Sequence, residues 1–199
     1  MLNIQPKTLT GCSIQLEPLN ESHKSELYTA AQDESIWTYF SSKTMGAEFY
    51  RWFDKAIQYS QNKQQLPFIV RRLSNDKIIG STRYYDINLE HRRLTIGYTW
   101  YIPEVWGTSV NPECKFLLLK YAFEELRLNR VDFLIHSGNA RSRAAVKKLG
   151  AVEEGILRHH MILDNGLLRD TVVYSIIKAD WLHIKSSLIN RLAFNFNIL

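Results

Sequence analysis

The chain has 199 residues, of which 45% are hydrophobic and 23% are charged. This length suits one domain spanning residues 1–199, and the composition is ordinary for a globular protein. The net charge of +5 comes from short basic groups with acids between them, not from a basic stripe, so nucleic acid is not expected as a partner. Two cysteines, Cys12 and Cys114, form neither a disulfide framework nor a metal-ligand spacing.

No segment of the sequence predicts export or membrane insertion. The first seven residues lack the long apolar core of a secretory signal. No apolar run approaches the roughly 20 residues of a membrane-spanning helix. A cytoplasmic location is therefore the expectation, with no metal and no membrane as partners.

The first half of the chain predicts a strand, two helices and two further strands. Alternating apolar residues predict the first strand, and apolar residues at helical spacing predict both helices. A polar turn separates the last two strands. The predicted elements are Cys12–Glu17, Asn20–Gln32, Gly46–Gln61, Leu66–Arg72 and Lys77–Tyr85.

The next stretch predicts a strand, a loop and the start of a helix. The residues from Arg92 to Ile102 are rich in β-branched and aromatic side chains, and Pro103 ends the strand because it has no N–H group. Asn111 is a suitable N-cap, Pro112 suits the first helical position, and Glu113 suits the positive end of the helix dipole.

The loop itself is short and contains small polar residues. A strand–loop–helix of this kind directs several main-chain N–H groups at one point, where the helix dipole favours an anion. The pattern therefore predicts a phosphate-binding turn, although an ordinary strand-to-helix connection fits it equally well. The loop residues are Trp106, Gly107, Thr108, Ser109 and Val110.

The second half of the chain continues the alternation of helices and strands. A near-continuous apolar run predicts a strand buried on both faces. Gly150 is a plausible helix C-cap, and an Asp-Asn-Gly turn joins the last two strands. The predicted elements are helix Glu113–Arg127, strand Val131–His136, helix Ala140–Leu149, strands Val152–Leu163 and Leu167–Ile177, and helix Asp180–Leu192.

Two of these stretches together resemble the GNAT superfamily of N-acetyltransferases, in particular its RimJ/RimL-like branch of ribosomal-protein N-terminal acetyltransferases. The first stretch runs from Ile96 to Glu113. The second, Asn139 to Gly150, resembles the family signature of an asparagine, a serine and a Lys-x-Gly ending. The family loop pattern Gln/Arg-x-x-Gly-x-Gly/Ala is not kept, because its slots hold Trp106, Ser109 and Asn111.

The resemblance implies an α/β (α+β) fold with a mixed, mostly antiparallel sheet, flanking helices and a splayed strand pair. The strand Arg92–Ile102 would separate from Val131–His136, and the pantetheine arm of acetyl-CoA would lie in the gap. The implied reaction moves the acetyl group of acetyl-CoA to a primary amine, a protein N-terminal α-amine or a small amine, by direct attack in a ternary complex.

The resemblance also implies roles for individual residues. A main-chain N–H near Tyr101 or Ile102 would bind the oxyanion, and Asn139 would meet the pantetheine arm, although it also suits a helix N-cap. Ser142 would lie near the departing sulfur or be a plain first-turn serine. The resemblance assigns no carboxylate, so Glu104, Glu113 and Asp86 remain candidates, although Glu113 also suits a helix start. The pyrophosphate would be bound by main-chain N–H groups of Trp106, Gly107, Thr108, Ser109, Val110 and Asn111.

Two family features are absent, which keeps a second function open. Val146 occupies the slot of the usual tyrosine acid, and the stretch Leu94–Gly97 lacks the usual glutamate base. A degenerate acyl-CoA-binding or regulatory domain is therefore the alternative, and a basic RNA-associated module is a third. The first two helices, the aromatic cluster Ile36–Phe40 and the final hairpin are expected to shape the acceptor site, and a homodimer stays open.

Overall fold

An eight-stranded sheet forms the centre of the computed structural model, which describes residues 4–196. The spatial order of the strands is β1-β2-β3-β4-β5-β6-β8-β7. Seven strands match the predicted ones within a few residues, whereas β1 is too short to carry a periodic signal. The strands are β1 Leu9–Thr10, β2 Ile14–Pro18, β3 Leu66–Arg72, β4 Lys77–Asn88, β5 Arg93–Tyr101, β6 Arg130–His136, β7 Val152–Ile162 and β8 Leu168–Ile177.

Five α-helices accompany the sheet. The first is shorter than predicted, because its opening turn is a 3₁₀ helix and it ends two residues before Gln32. The helix after the loop begins earlier than predicted and continues into a π-helical turn, Tyr121–Glu125. The helices are α1 Lys24–Ala30, α2 Ala47–Gln61, α3 Val110–Lys120, α4 Ala140–Leu149 and α5 Trp181–Phe196.

The helices cover both faces of the sheet, which gives two hydrophobic clusters. The larger cluster joins the sheet to α3, α4 and α5, through residues such as Leu118, Leu149 and Leu188. The smaller joins it to α1 and α2, through residues such as Leu27 and Phe53. Because each sheet face is buried against helices, charged residues in the central strands are held away from water.

The strands β5 and β6 separate along most of their length, as the resemblance implies. They form the only parallel ladder among the described strands, and it contains three pairs, ending at Thr95 and Asp132. Beyond it, β5 continues to Tyr101 beside β4, and β6 continues to His136 beside β8. A gap therefore opens between β5 and β6, with unpaired strand edges facing it.

A β-bulge lies in β5 beside this gap. The pairing with β4 shifts between Trp100, which lies opposite Ser81, and Gly97, which lies opposite Arg83. Tyr98 in the bulge has φ of 51°, an uncommon value for a residue with a side chain. Bulges re-aim side chains near functional sites, and here the bulge brings Tyr98 to the surface on the side of α2.

The last strand of the sheet, β7, is exposed along its whole length. Its free edge lies at the end of the sheet opposite β1. No helix among residues 4–196 is long and apolar enough to cross a membrane.

Candidate active site

In the loop between β5 and α3, main-chain N–H groups that are bonded within the loop alternate with N–H groups that have no partner in the described part of the chain. The N–H of Trp106 bonds Pro103 O at 3.0 Å, and the N–H of Thr108 bonds Val105 O at 3.4 Å. The N–H groups of Gly107, Ser109 and Asn111 have no hydrogen-bond partner within residues 4–196. Three free donors at the start of a helix could hold a diphosphate.

The hydrogen-bond donors of two loop residues are used within the turn itself. The hydroxyl of Thr108 donates to Val105 O at 2.7 Å and accepts from the N–H of Val110 at 3.3 Å. Both donors of Thr108 and the N–H of Val110 are therefore occupied. Contrary to the sequence expectation, these groups and the N–H of Trp106 are not free to bind a phosphate.

The helix start also differs from the prediction. The helix α3 begins at Val110 with Ser109 in the N-cap position, so Asn111 is not the cap. The side chain of Asn111 accepts a hydrogen bond from the Tyr101 hydroxyl at 3.2 Å instead. Pro112 then lies at the third helical position, where its missing N–H would have had no helical partner.

The free edge of β5 ends at Tyr101. The N–H of Ile102 bonds Ile79 O at 2.9 Å, which removes Ile102 as an oxyanion donor. Because successive N–H groups of a strand point to opposite sides, the N–H of Tyr101 faces away from β4 and toward the gap. Its carbonyl accepts from Nε1 of Trp106 at 2.9 Å.

The second sequence motif lies against the loop. The guanidinium of Arg141, in the first turn of α4, is 3.8 Å from the centroid of the Trp106 ring. Asn139 is the N-cap of α4, since its side chain accepts from the N–H of Ser142 at 3.0 Å. The amide nitrogen of Asn139 and the hydroxyl of Ser142 have no partner in the described part of the chain. Both motifs thus meet where β5 and β6 separate.

Comparisons with known proteins agree with this geometry. The family model described as Acetyltransferase (GNAT) domain matches residues 13–152. A sequence from Bacillus subtilis (strain 168), "Putative ribosomal N-acetyltransferase YdaF", is 32% identical over 169 residues, covering 83% of this chain and 90% of that one. The chain belongs to the GNAT acetyltransferase family.

Solved structures share this fold. A GCN5-related N-acetyltransferase from Brucella melitensis superimposes with a TM-score of 0.86 at 28% identity, covering 94% of this chain and 86% of that one. RimJ from Mycobacterium smegmatis, in complex with CoA-disulfide, gives a TM-score of 0.81 at 17% identity, covering 94% and 95%. The GNAT fold is confirmed, and with the YdaF relation so is the RimJ/RimL-like branch.

Glu113 of this GNAT chain serves the fold. Its carboxylate is 2% exposed and accepts hydrogen bonds from the main-chain N–H groups of Cys12 and Ser13 and from the Ser13 hydroxyl. Both carboxylate oxygens accept hydrogen bonds, and these bonds connect the turn before β2 to the start of α3. The expectation of a catalytic Glu113 is corrected accordingly.

Val146, in the slot of the usual tyrosine, lies in the hydrophobic core. Val146 is buried with Leu149 in the cluster that joins α4 to the sheet. The nearby Arg143 donates to the Tyr174 hydroxyl and to Ser137 O, both at 3.1 Å. Val146 is therefore not available for contact with a ligand, and two of the Arg143 nitrogens are engaged within the chain.

A buried lysine that the sequence does not single out lies beneath the gap. Lys115 on α3 is 5% exposed, and its Nζ donates to the Thr99 hydroxyl at 2.7 Å. Thr99 shares a second hydrogen bond of 2.8 Å with Thr82. Burial lowers the pKa of the Lys115 ammonium to about 8, because no anion compensates it.

The remaining titratable groups form no metal site in the described structure. Within residues 4–196, no three side chains of His, Cys, Asp or Glu come together as a ligand set. The Cys114 thiol is buried, and burial raises its pKa.

Proposed function

We propose that this GNAT chain transfers the acetyl group of acetyl-CoA to a primary amine, either the α-amine of a protein N-terminus or a small amine. The observation that carries the proposal is the gap between β5 and β6, with three free N–H groups at one end of it. An extended, amide-bearing arm can pair with an unpaired strand edge, as a β-strand would.

The loop and α4 would hold acetyl-CoA from two sides. The N–H groups of Gly107, Ser109 and Asn111 would bind the diphosphate, and Trp106 would form the adjoining wall. The free amide nitrogen of Asn139 would donate to a carbonyl of the pantetheine arm while its oxygen caps α4. Except for Trp106, each role uses a polar group that has no other partner among the described residues.

The N–H of Tyr101 would stabilise the oxyanion that forms when the amine attacks the thioester carbonyl. A fixed donor of this kind contributes about 3 to 4 kcal/mol to the transition state. The hydroxyl of Ser142 would donate to the departing sulfur, which leaves as a thiolate because thiols ionise near pH 8.5. No strong acid is then required.

The kind of amine follows from the absence of an assigned base. A free α-amine has a pKa of about 8, so roughly a tenth of it is neutral at pH 7. A lysine ε-amine, with a pKa of about 10.4, is neutral to well below a thousandth. In a site without a dedicated base, the fraction of neutral, attacking amine is therefore roughly 200-fold higher for the α-amine than for the lysine amine.

Two measurements test the proposal. Isothermal titration should show binding of acetyl-CoA, and a thiol-release assay should show turnover with peptides that have a free N-terminus. A peptide blocked at its N-terminus but containing lysine should react far more slowly. A lack of acetyl-CoA binding at millimolar concentration would refute the proposal, and a preference for the lysine peptide would refute the choice of amine.

A degenerate acyl-CoA-binding domain is the second candidate. It is favoured by Val146 in the core, where relatives place a tyrosine, and by the engagement of both oxygens of Glu113. It predicts binding of acetyl-CoA without thiol release on any amine. The two candidates therefore differ in turnover and agree in binding.

A further inference from the structure

Arg83 is a buried cation next to the gap. It lies on β4 opposite Gly97, two residues beyond the last pair between β5 and β6, and it is 3% exposed. Its guanidinium carbon is 4.3 Å from the centroid of the Tyr98 ring and 5.0 Å from that of Trp52. Arg83 therefore belongs to the face that α2 covers.

Half of this guanidinium has no partner. Nη1 donates to Oε1 of Gln65 at 2.8 Å, but Nε and Nη2 are buried without a hydrogen bond among the described residues. No carboxylate within residues 4–196 pairs with it, and burial lowers its pKa only to about 10. A charged group at neutral pH thus stays unpaired, which is costly unless an anion arrives.

The unpaired atoms define the shape of the missing partner. The Nε–H bond and one Nη2–H bond of a guanidinium run parallel along one edge. That edge matches the two oxygens of a carboxylate in a bidentate pair. The bond of Nη1 to Gln65 uses the other part of the group, so the fork itself is left free.

A second arginine that has an unpartnered nitrogen in the described structure lies in the final hairpin. Arg169 lies on β8 beyond the end of β6, and its Nε is also buried without a partner among the described residues. Successive side chains of a strand point to opposite faces of the sheet. Because Val172 and Tyr174 of β8 pack in the cluster with α3 and α4, Arg169 lies on the same face of the sheet as Arg83. Tyr98 is 42% exposed, and its ring lies over the Arg83 guanidinium, so it separates Arg83 from the solvent.

We propose that Arg83 and Arg169 form an anion site beside the gap, on the face of the sheet that α2 covers, and that it binds a carboxylate carried by the acceptor amine. This inference rests on the proposed function: if the loop and α4 hold acetyl-CoA on one side of the sheet, the opposite side, where Arg83 lies, is left for the amine. The carboxylate belongs either to a free amino acid or to an acidic side chain near a peptide N-terminus.

Binding of reaction products tests the site without requiring turnover. In the presence of CoA, N-acetylglycine is compared with N-acetylglycinamide, and N-acetyl-Asp-Gly-amide with N-acetyl-Asn-Gly-amide. None of these probes has a free amine, so differences in amine pKa are removed. The pair in which the carboxylate binds at least about tenfold more tightly than its amide identifies the source of the carboxylate.

Two variants test whether the preference for the carboxylate probe depends on the two arginines. Arg83→Met and Arg169→Met should each reduce the preference at least about fivefold while leaving the affinity for CoA unchanged. Arg158→Met removes the same charge from exposed β7 and should keep the preference. Thermal unfolding of each variant verifies that it folds, and Arg169→Met tests the site independently if Arg83→Met does not fold.

Three results would overturn the inference: equal binding of acid and amide probes, no binding of either acid at millimolar concentration, or a preference that survives both variants. A chain that binds the acid probes but releases no thiol would instead refute the transferase proposal and leave the anion site intact.

Discussion

The guanidinium of Arg141 lies over the indole of Trp106, with 3.8 Å between its central carbon and the ring centroid. This contact joins the first turn of α4 to the loop after β5, so it fixes the two sequence motifs relative to each other. It also places a positive charge beside the free N–H groups of the loop. Arg141 is therefore the cation best placed to meet a phosphate.

Replacing Arg141 should weaken binding of acetyl-CoA. A cation–π contact at an exposed position contributes about 0.5–1 kcal/mol, so Arg141→Ala should raise the Kd by about 2- to 5-fold. Isothermal titration measures the change. Lys148→Ala removes an equal charge from the exposed side of the same helix and should leave the Kd nearly unchanged. Equal effects of both variants would mean that only net charge matters.

The conformation of Gly107 gives a second prediction. Its φ is 77°, and a Cβ atom there would meet nothing within 4 Å. The effect of Gly107→Ala must therefore come from backbone strain, about 1–2 kcal/mol, which the loop relieves by moving its free N–H groups. We expect the Kd for acetyl-CoA to rise by about 5- to 30-fold.

Gly166 is a matched control for that variant. It has φ of 79° and equally open space, but it lies in the turn between β7 and β8. Gly166→Ala should lose similar stability in urea unfolding and bind acetyl-CoA as the unaltered chain does. If Gly107→Ala also bound normally, the loop would not be the diphosphate site.

The element order and the splayed pair were predictable because they follow from local patterns. Alternation and helical spacing mark strands and helices, and the resemblance supplied the position of the gap. The cap was not predictable, because Ser109 and Asn111 are both good N-cap residues. Ser109 has φ of −70°, so it fits the loop without strain where relatives have glycine.

The burial of two cations was not predictable from the sequence for a different reason. Lys115 lies among polar positions of α3 and looks like a solvent-facing residue, while Arg83 interrupts an otherwise ordinary strand. Charged residues are almost never fully buried without a partner, so a pattern-based reading places them outside. Only the packing of α2 and α3 on opposite faces of the sheet shows that both are inside.

The engagement of Glu113 predicts a stability effect without a catalytic one. Its carboxylate accepts three hydrogen bonds from Cys12 and Ser13, and bonds to charged groups contribute about 1.5–3 kcal/mol. Glu113→Gln should lower the free energy of unfolding by about that amount, measured in urea. The value of kcat at saturating substrates should stay within about twofold of the original.

Glu104→Gln is the control for this variant. Glu104 is exposed and paired with Arg72 at 2.8 Å, so its replacement should change stability much less. A large loss of kcat in Glu113→Gln at a temperature where the variant is folded would restore the carboxylate as a catalytic candidate.

The buried ammonium of Lys115 predicts a pH dependence of stability. Its pKa is about 8 in the folded chain and about 10.4 in the unfolded one. Between these values the unfolded state binds more protons, so the folded state gains stability as the pH rises. Below pH 8 the full penalty is present, roughly 3 kcal/mol at 1.36 kcal/mol per pKa unit.

Lys115→Met removes this penalty along with the hydrogen bond to Thr99, whose loss does not depend on pH. The stability of the variant minus that of the original chain should therefore be largest near pH 7 and fall by up to about 3 kcal/mol toward pH 10.5. Urea unfolding at several pH values measures the difference. Lys120→Met, at the exposed end of α3, should give a difference that does not change with pH. A constant difference for Lys115→Met as well would show that Lys115 is not the group that titrates.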